Sequence, residues 1–208
     1  VMPRTPFARA WSAIGGLEIR IDKRVLKRES LENKLPSISL AIDYAKSHIT
    51  SAGVEIEEKL DSEGRTVAFC VDWRQAKDSK TAKQEAERVA TYCTALKLRV
   101  IRSETQPFYD VYPVPPDKGS ALQETLNELA VKNGVLYLGD SEVDNSAFKA
   151  SNVSLGVIHN ETPLETLDCD YLVEFEHVPD FLNAILVNNL VFSSDFPMIE
   201  INPRRMRR

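Results

Sequence analysis

Residues Pro113 to Phe148 read PVPPDKGSALQETLNELAVKNGVLYLGDSEVDNSAF, and the reading of this stretch decides the fold. Lys118 stands between Asp117 and Gly119 at the mouth of an amphipathic helix predicted over Gly119 to Lys132. A short apolar strand, Val135 to Leu138, follows and runs into Gly139. Asp140 and Asp144 come next, four residues apart. Open α/β sheets bind their ligands at the carboxyl ends of their strands, and Asp140 occupies such an end. Two carboxylates with no His or Cys beside them suit a hard, oxygen-seeking ion such as Mg²⁺. A lysine brought to the same edge can neutralise charge that develops on a phosphoryl group. The plainer reading of the two aspartates is a cap on the next helix. Their order after Lys118 favours the metal-site reading.

On the carboxyl side of this stretch, strands and helices alternate. A helix through Ala147 leads to a strand at Val153 to Val157, then a strand at Tyr171 to Glu174 and a helix at Val178 to Asn188. Such a βαβ series implies parallel strands. From Phe192 onward the periodicity is lost, and RRMRR reads as a solvated tail.

On the amino side the grammar differs. Strands are predicted at Leu17 to Asp22, Val25 to Lys27, Gly53 to Leu60, Thr66 to Trp73, Leu98 to Arg102 and Phe108 to Tyr112. Two helices, Pro36 to Ile49 and Ser79 to Ala95, interrupt them. Hairpin-length turns between several of the strands imply an antiparallel sheet with helices on one face, an α+β layer. Pro115 and Pro116 mark its border. The opening residues, VMPRTPFARAWSAIGG, read as the tail of an element with no apolar strand ahead of them. The expected division is 1–14, a remnant of a core; 15–112, the α+β layer; 113–190, the parallel half of the core; and 191–208, an extension.

Composition sets broad limits. The 208 residues are 43% hydrophobic and carry a net charge of −5, so the surface as a whole does not advertise nucleic-acid binding. Three scattered cysteines with no CxxC spacing point to a reduced, cytoplasmic setting, each thiol acting as a small buried hydrophobe. No apolar run approaches the roughly 18 residues of a membrane span, and no membrane partner is expected. His48, His159 and His177 share no ligand spacing, and packing or surface roles are expected for all three.

GDSEVDNSAF, Gly139 to Phe148, resembles the fourth motif of the haloacid dehalogenase (HAD) phosphatase superfamily, and DKG, Asp117 to Gly119, is similar to the third. An antiparallel layer ahead of the third motif resembles the class II (IIB) cap. Within that class the segments are most similar to the trehalose-6-phosphate phosphatases. The matching segments are GLEI at Gly16 to Ile19, IEEK at Ile56 to Lys59, VDWR at Val71 to Arg74 and FYDVYP at Phe108 to Pro113. The resemblance implies a HAD-like fold: an α/β core with a Rossmann-type parallel sheet and an inserted α+β cap. It also implies a Mg²⁺-dependent phosphomonoesterase that converts trehalose 6-phosphate to trehalose through an aspartyl-phosphate. In that scheme Lys118, Asp140 and Asp144 are catalytic, and Asp140 and Asp144 hold the metal. Glu57, Lys59, Arg74 and Asp110 read the sugar-phosphate substrate.

Two parts of the pattern are not found. The superfamily's DxDxT nucleophile motif has no counterpart, since Asp72 belongs to the cap segment VDWR, and Thr5 is a weak candidate for the second motif. The expectation is that Val1 begins partway through a HAD core whose nucleophile strand lies upstream. That leaves an open sheet edge, and self-association or completion by an upstream segment is expected. A non-catalytic sugar-phosphate-binding or regulatory module, and a phosphatase for another sugar phosphate such as a mannosylglycerate or sucrose phosphate, stay open as alternatives. Plainer roles for the cap candidates are a charge-protected strand edge at Glu57 to Lys59 and an Arg74–Asp110 ion pair.

Overall fold

The computed structural model describes residues 8–27, 29–102, 106–159 and 166–204. Thr5 and the arginines at 205, 207 and 208 lie outside them. In chain order the elements are β1 (Ala10–Ala13), β2 (Glu18–Ile21), β3 (Arg24–Lys27), α1 (Glu29–Glu32), α2 (Leu35–His48), β4 (Glu55–Leu60) and β5 (Thr66–Asp72). Then come α3 (Ser79–Ala95), β6 (Arg99–Arg102), β7 (Phe108–Tyr112), α4 (Lys118–Glu128) and β8 (Leu136–Gly139). The chain ends with α5 (Asn145–Ala150), β9 (Val153–Ile158), β10 (Tyr171–Glu174), α6 (Val178–Val187) and β11 (Ile199–Ile201). Two compact units result: Val1–Asp22 together with Asp117–Arg208, and Lys23–Pro116 inserted between those two pieces.

The first unit is built on a sheet of order β11-β10-β9-β8. β8, β9 and β10 run parallel, with Gly139 opposite Gly156 and Val157 opposite Val173. Parallel strands covered on both faces must be apolar throughout, which is why VSLGV and YLVE read as continuous runs. One face packs Leu155, Val157 and Val173 against Phe181 and Ile185 of α6, with Phe192 and Phe196 beside them. On the other face Phe148 of α5 packs with Leu167, Cys169 and Leu172.

Two strands depart from the sequence reading, both short and at edges. β1 pairs antiparallel with β2, Trp11 opposite Arg20, although AWSA shows little strand pattern. β11 pairs antiparallel with β10 inside the segment read as irregular. Its register is pinned by buried Asn202, whose backbone N donates to the Asp170 carbonyl (3.0 Å) and whose Nδ2 donates to the carbonyls of Leu167 and Cys169 (3.1 Å each). That pairing depends on one polar side chain outside the strand, so period-2 reading misses it.

The β1–β2 hairpin belongs to this first unit. It is followed in space by the start of α4, because Asp117 N donates to the Gly15 carbonyl at 2.9 Å. Gly16 has φ +92°, and a Cβ there would lie 2.6 Å from the Asp117 carbonyl oxygen, so the approach requires glycine.

In the second unit the antiparallel order is β4-β5-β7-β6. Phe69 and Val71 of β5 and Tyr109 and Val111 of β7 point to one face, where Ile38 and Ala41 of α2 and Val89 and Cys93 of α3 cover them. The turn after β4 is fixed by Asp61. Its fully buried carboxylate accepts from Lys27 Nζ (3.0 Å), Arg65 Nε (3.0 Å) and the backbone N–H groups of Glu63 (2.9 Å) and Arg65 (3.0 Å). Burial pushes the Asp61 acid up, but these hydrogen bonds outweigh it and hold the group at about 2.

Because the folded value is depressed, the stabilisation is complete above the unfolded carboxylate range and is lost as pH falls through about 4 towards 2. Urea unfolding at pH 5 and at pH 2.5 is expected to show Asp61→Asn losing about 2 kcal/mol less than the parent over that interval. Equal pH sensitivity in the two proteins would exclude this role.

Candidate active site

The site residues of the first unit meet where β8 ends. Gly139 closes the strand, Asp140 follows it, and a single tight turn at Glu142–Asp144 leads into α5. Asp144 N donates to the Ser141 carbonyl (2.9 Å), and the Asp144 side chain folds back over Gly139. A Cβ on Gly139 would come within 2.6 Å of the Asp144 Cβ and Cγ, so this strand end requires glycine.

Asp144 is only 2% exposed. Its Oδ1 accepts from Lys118 Nζ (2.7 Å) and the Tyr137 hydroxyl (2.7 Å), and its Oδ2 accepts from Ser141 Oγ (2.8 Å). Burial disfavours the carboxylate, yet the hydrogen bonds from Lys118, Tyr137 and Ser141 outweigh it and hold Asp144 below the ordinary carboxylate range. Burial, reinforced by Asp144, pushes the Tyr137 hydroxyl up, which keeps it a proton donor.

The three residues of DKG divide the work of bringing Lys118 there. Asp117 caps α4, its side chain accepting from Ser120 N at 3.0 Å. Lys118 is the first helical residue. Gly119 lets α4 approach α5: its N donates to Ser146 Oγ (2.9 Å), and a Cβ would lie 2.3 Å from the Ser146 carbonyl oxygen.

Asp140 has a different environment. Its side chain is 60% exposed, and its Oδ2 lies 3.8 Å from Nε2 of His159, just past the end of β9. The parallel register, Gly139 opposite Gly156, brings these two strand ends to one edge. The His159 ring packs against Phe175, tilted by 33° with the ring centres 4.6 Å apart.

The donor chemistry of this corner suits magnesium in one particular way. Among the described residues, no group of three or more His, Cys, Asp or Glu side chains gathers at metal-holding distance. Mg²⁺ needs no such cage, since it keeps several waters and binds through one or two carboxylates plus a substrate phosphate. Asp140 offers the solvent-facing carboxylate for that role. Asp144 is engaged by three donors and serves here to hold Lys118.

The four sugar-reading candidates all belong to the second unit. Glu57, Cys70 and Asp110 share one cross-strand row on β4, β5 and β7. Because Phe69, Val71, Tyr109 and Val111 face the helices, alternation puts this row on the opposite face. Lys59 joins it, with Nζ 2.5 Å from Asp110 Oδ1, 3.3 Å from the Tyr112 hydroxyl and 5.2 Å from the centre of the Tyr112 ring. Burial opposes the Lys59 charge, but the Asp110 and Tyr112 partners win and raise its pKa. Glu57 is exposed.

Arg74 pairs with Asp72 rather than Asp110, through its backbone N (2.9 Å) and Nε (2.8 Å). The reason is local: Asp72 is two residues away and turns back on the chain, while Lys59 reaches Asp110 first. Gly53, Glu55, Asp72, Arg74 and Gln75 line a cavity of 360 Å³.

Sequence reading gave no role to Tyr137, Ser141 or Ser146, and for His159 expected only packing or a surface position, without its place beside Asp140. The one available signal was a tyrosine inside the otherwise apolar strand LYLG.

Neither protein-family models nor curated protein sequences give a match. Solved structures do. A trehalose-6-phosphate phosphatase related protein superposes with a TM-score of 0.66 at 14% identity, over 89% of this chain and 75% of that one. A haloacid dehalogenase-like hydrolase from Bacteroides thetaiotaomicron gives 0.57 at 14% identity, over 85% and 74%. A HAD subclass IIB sugar phosphatase gives 0.58 at 10% identity, over 91% and 79%. The chain has a HAD-like fold. The two segments on which the resemblance rests, Asp117 to Gly119 and Gly139 to Phe148, meet here through the Lys118–Asp144 pair.

Proposed function

We propose that the chain acts as a HAD-type phosphomonoesterase on a sugar phosphate, with trehalose 6-phosphate the first substrate to test. The observation that carries this reading is the pairing of Lys118 with the buried Asp144 at the carboxyl end of β8, beside the exposed carboxylate of Asp140. Lys118 has 33% of its side chain exposed, enough to meet a phosphoryl oxygen while Asp144 holds it. Tyr137 and Ser141 fix Asp144 in turn, so the ammonium group is positioned before substrate arrives.

Asp140 is the residue that would hold Mg²⁺, with Asp144 reaching it only through water. When bound, the ion neutralises charge on the phosphoryl oxygens. In this reading the inserted unit is the cap, and Glu57, Lys59, Arg74 and Asp110 hydrogen-bond sugar hydroxyls. Such a site discriminates strongly, because a wrong ligand leaves polar groups unpaired. The aspartyl nucleophile that the resemblance implies is assigned to none of the described residues.

The test is phosphate release from trehalose 6-phosphate and from sucrose phosphate with Mg²⁺, for the parent chain and for Lys118→Met. Removing the cation is expected to lower kcat about a hundredfold or more, as for loss of one charge-stabilising donor, with a smaller change in KM. A non-catalytic sugar-phosphate-binding module is the second reading, favoured by the full engagement of Asp144. It predicts no turnover, with calorimetric binding of the sugar phosphate that Lys118→Met abolishes. Absence of both turnover and binding would refute the two readings together.

A further inference from the structure

From Phe181 to Ser194 the sequence, FLNAILVNNLVFSS, contains no charged residue. α6 turns Phe181 and Ile185 into the core of the first unit. Helical periodicity then leaves Leu182, Leu186 and Val187 outside, and the last two are 65% and 77% exposed.

The helix is closed by a turn that adds to this face. Asn189 and Leu190 both take left-handed backbone conformations, φ +55° and +62°. Leu190 N donates to the Ile185 carbonyl at 2.8 Å, and Asn188 Nδ2 donates to the Val191 carbonyl at 2.8 Å. A leucine at positive φ is costly, and glycine or asparagine is the usual occupant. Here the hydrogen-bonded turn fixes Leu190 and Val191, 72% and 60% exposed, directly after α6.

Leu182, Leu186, Val187, Leu190 and Val191 together expose on the order of 500 Å² of apolar surface, as much as the largest patch on an ordinary monomer. A stable interface buries about 800 Å² per partner, so this patch supplies most of one.

We propose that this face, Leu182 to Val191 at the end of α6 and in the turn after it, pairs with the same face of a second copy of the chain. Charge selects that occupant. A face with no charge meets itself across a twofold axis without like-charge contact, as an isologous interface requires. It also offers nothing to a charged protein partner. Helices that lie on membranes flank their apolar side with Lys and Arg to engage headgroups, and Val178–Val187 has neither.

Sedimentation velocity on the full chain over a concentration series tests this. The parent is expected to form a dimer. Leu186→Glu and Leu190→Glu are expected to weaken it about thirtyfold or more each, the effect of disrupting a central hot spot. Their unfolding midpoints and circular dichroism are expected to match the parent, since both side chains are exposed. A parent that stays monomeric, or a dimer untouched by the double variant, overturns the proposal. Flotation of monomeric parent with phosphatidylcholine–phosphatidylserine vesicles, lost in the double variant, overturns it in favour of a lipid surface.

Discussion

Asp144→Ala is expected to destabilise the first unit by about 3 kcal/mol and to abolish any Lys118-dependent phosphate binding or turnover. The substitution deletes the acceptor of three donors at once: the Lys118 ammonium, the Tyr137 hydroxyl and the Ser141 hydroxyl. Breaking a buried pair from one side costs about 3–5 kcal/mol, because the remaining charge stays desolvated. Lys118 is one-third exposed and can recover some hydration, so the lower end applies.

The converse variant, Lys118→Met, leaves a carboxylate that still has two hydroxyl donors, and is expected to cost less. Combining Lys118→Met with Asp144→Leu replaces the pair by apolar groups and is expected to restore part of the loss, a coupling that a double-mutant cycle in urea reads directly. Because Asp144 is held below the ordinary carboxylate range, its contribution is complete above that range and falls only in stronger acid. Asp144→Ala is therefore expected to destabilise equally at pH 6 and pH 8. A change under about 0.5 kcal/mol, the scale of a neutral surface substitution, would remove the pair from the fold's support.

What the sequence made legible follows from how local each signal is. α3 runs from Ser79 to Ala95 as its stripe predicts, because Asp78 caps it locally, accepting from Thr81 N at 3.1 Å. β7 and β10 likewise match their predicted bounds, Phe108–Tyr112 and Tyr171–Glu174. β1 and β11 escaped because neither carries its own pattern: each is an edge strand whose partner or anchor lies elsewhere.

The same distinction runs through the candidate site. Lys118 and Asp144 each stand in a short segment with its own glycine, and those segments carry the resemblance. Tyr137 and Ser141 become visible only once Asp144 folds back over Gly139, and His159 only through the register of β8 with β9. Among the sugar-reading candidates, Arg74 and Asp110 each found a different partner, because sequence spacing gives residues on a sheet face but not which long side chain reaches first.

Gly119→Ala sets two effects against each other and is expected to come out strongly destabilising. Intrinsic preference favours alanine over glycine inside a helix by about 1 kcal/mol, and Gly119 is helical in α4. Packing opposes it. The new Cβ would lie 2.3 Å from the Ser146 carbonyl oxygen, 2.5 Å from its carbon and 2.9 Å from the Ser146 Cβ. Those are backbone atoms or atoms tied to them, so no rotamer change relieves the overlap and α4 must move away from α5. The move also breaks the Gly119 N to Ser146 Oγ hydrogen bond and shifts Lys118, the preceding residue, relative to Asp144.

Overpacking of this kind costs about 1–3 kcal/mol before the lost hydrogen bond adds about 1 kcal/mol more, so the packing side wins. Gly134→Ala separates overlap from backbone strain: that glycine has φ +79° and nothing within 4 Å of a built Cβ. Its cost is expected to be the conformational one alone, about 1 kcal/mol. Urea midpoints for the two variants decide the matter. Gly119→Ala more stable than the parent would mean that α4 and α5 do not meet as closely as the DKG segment requires.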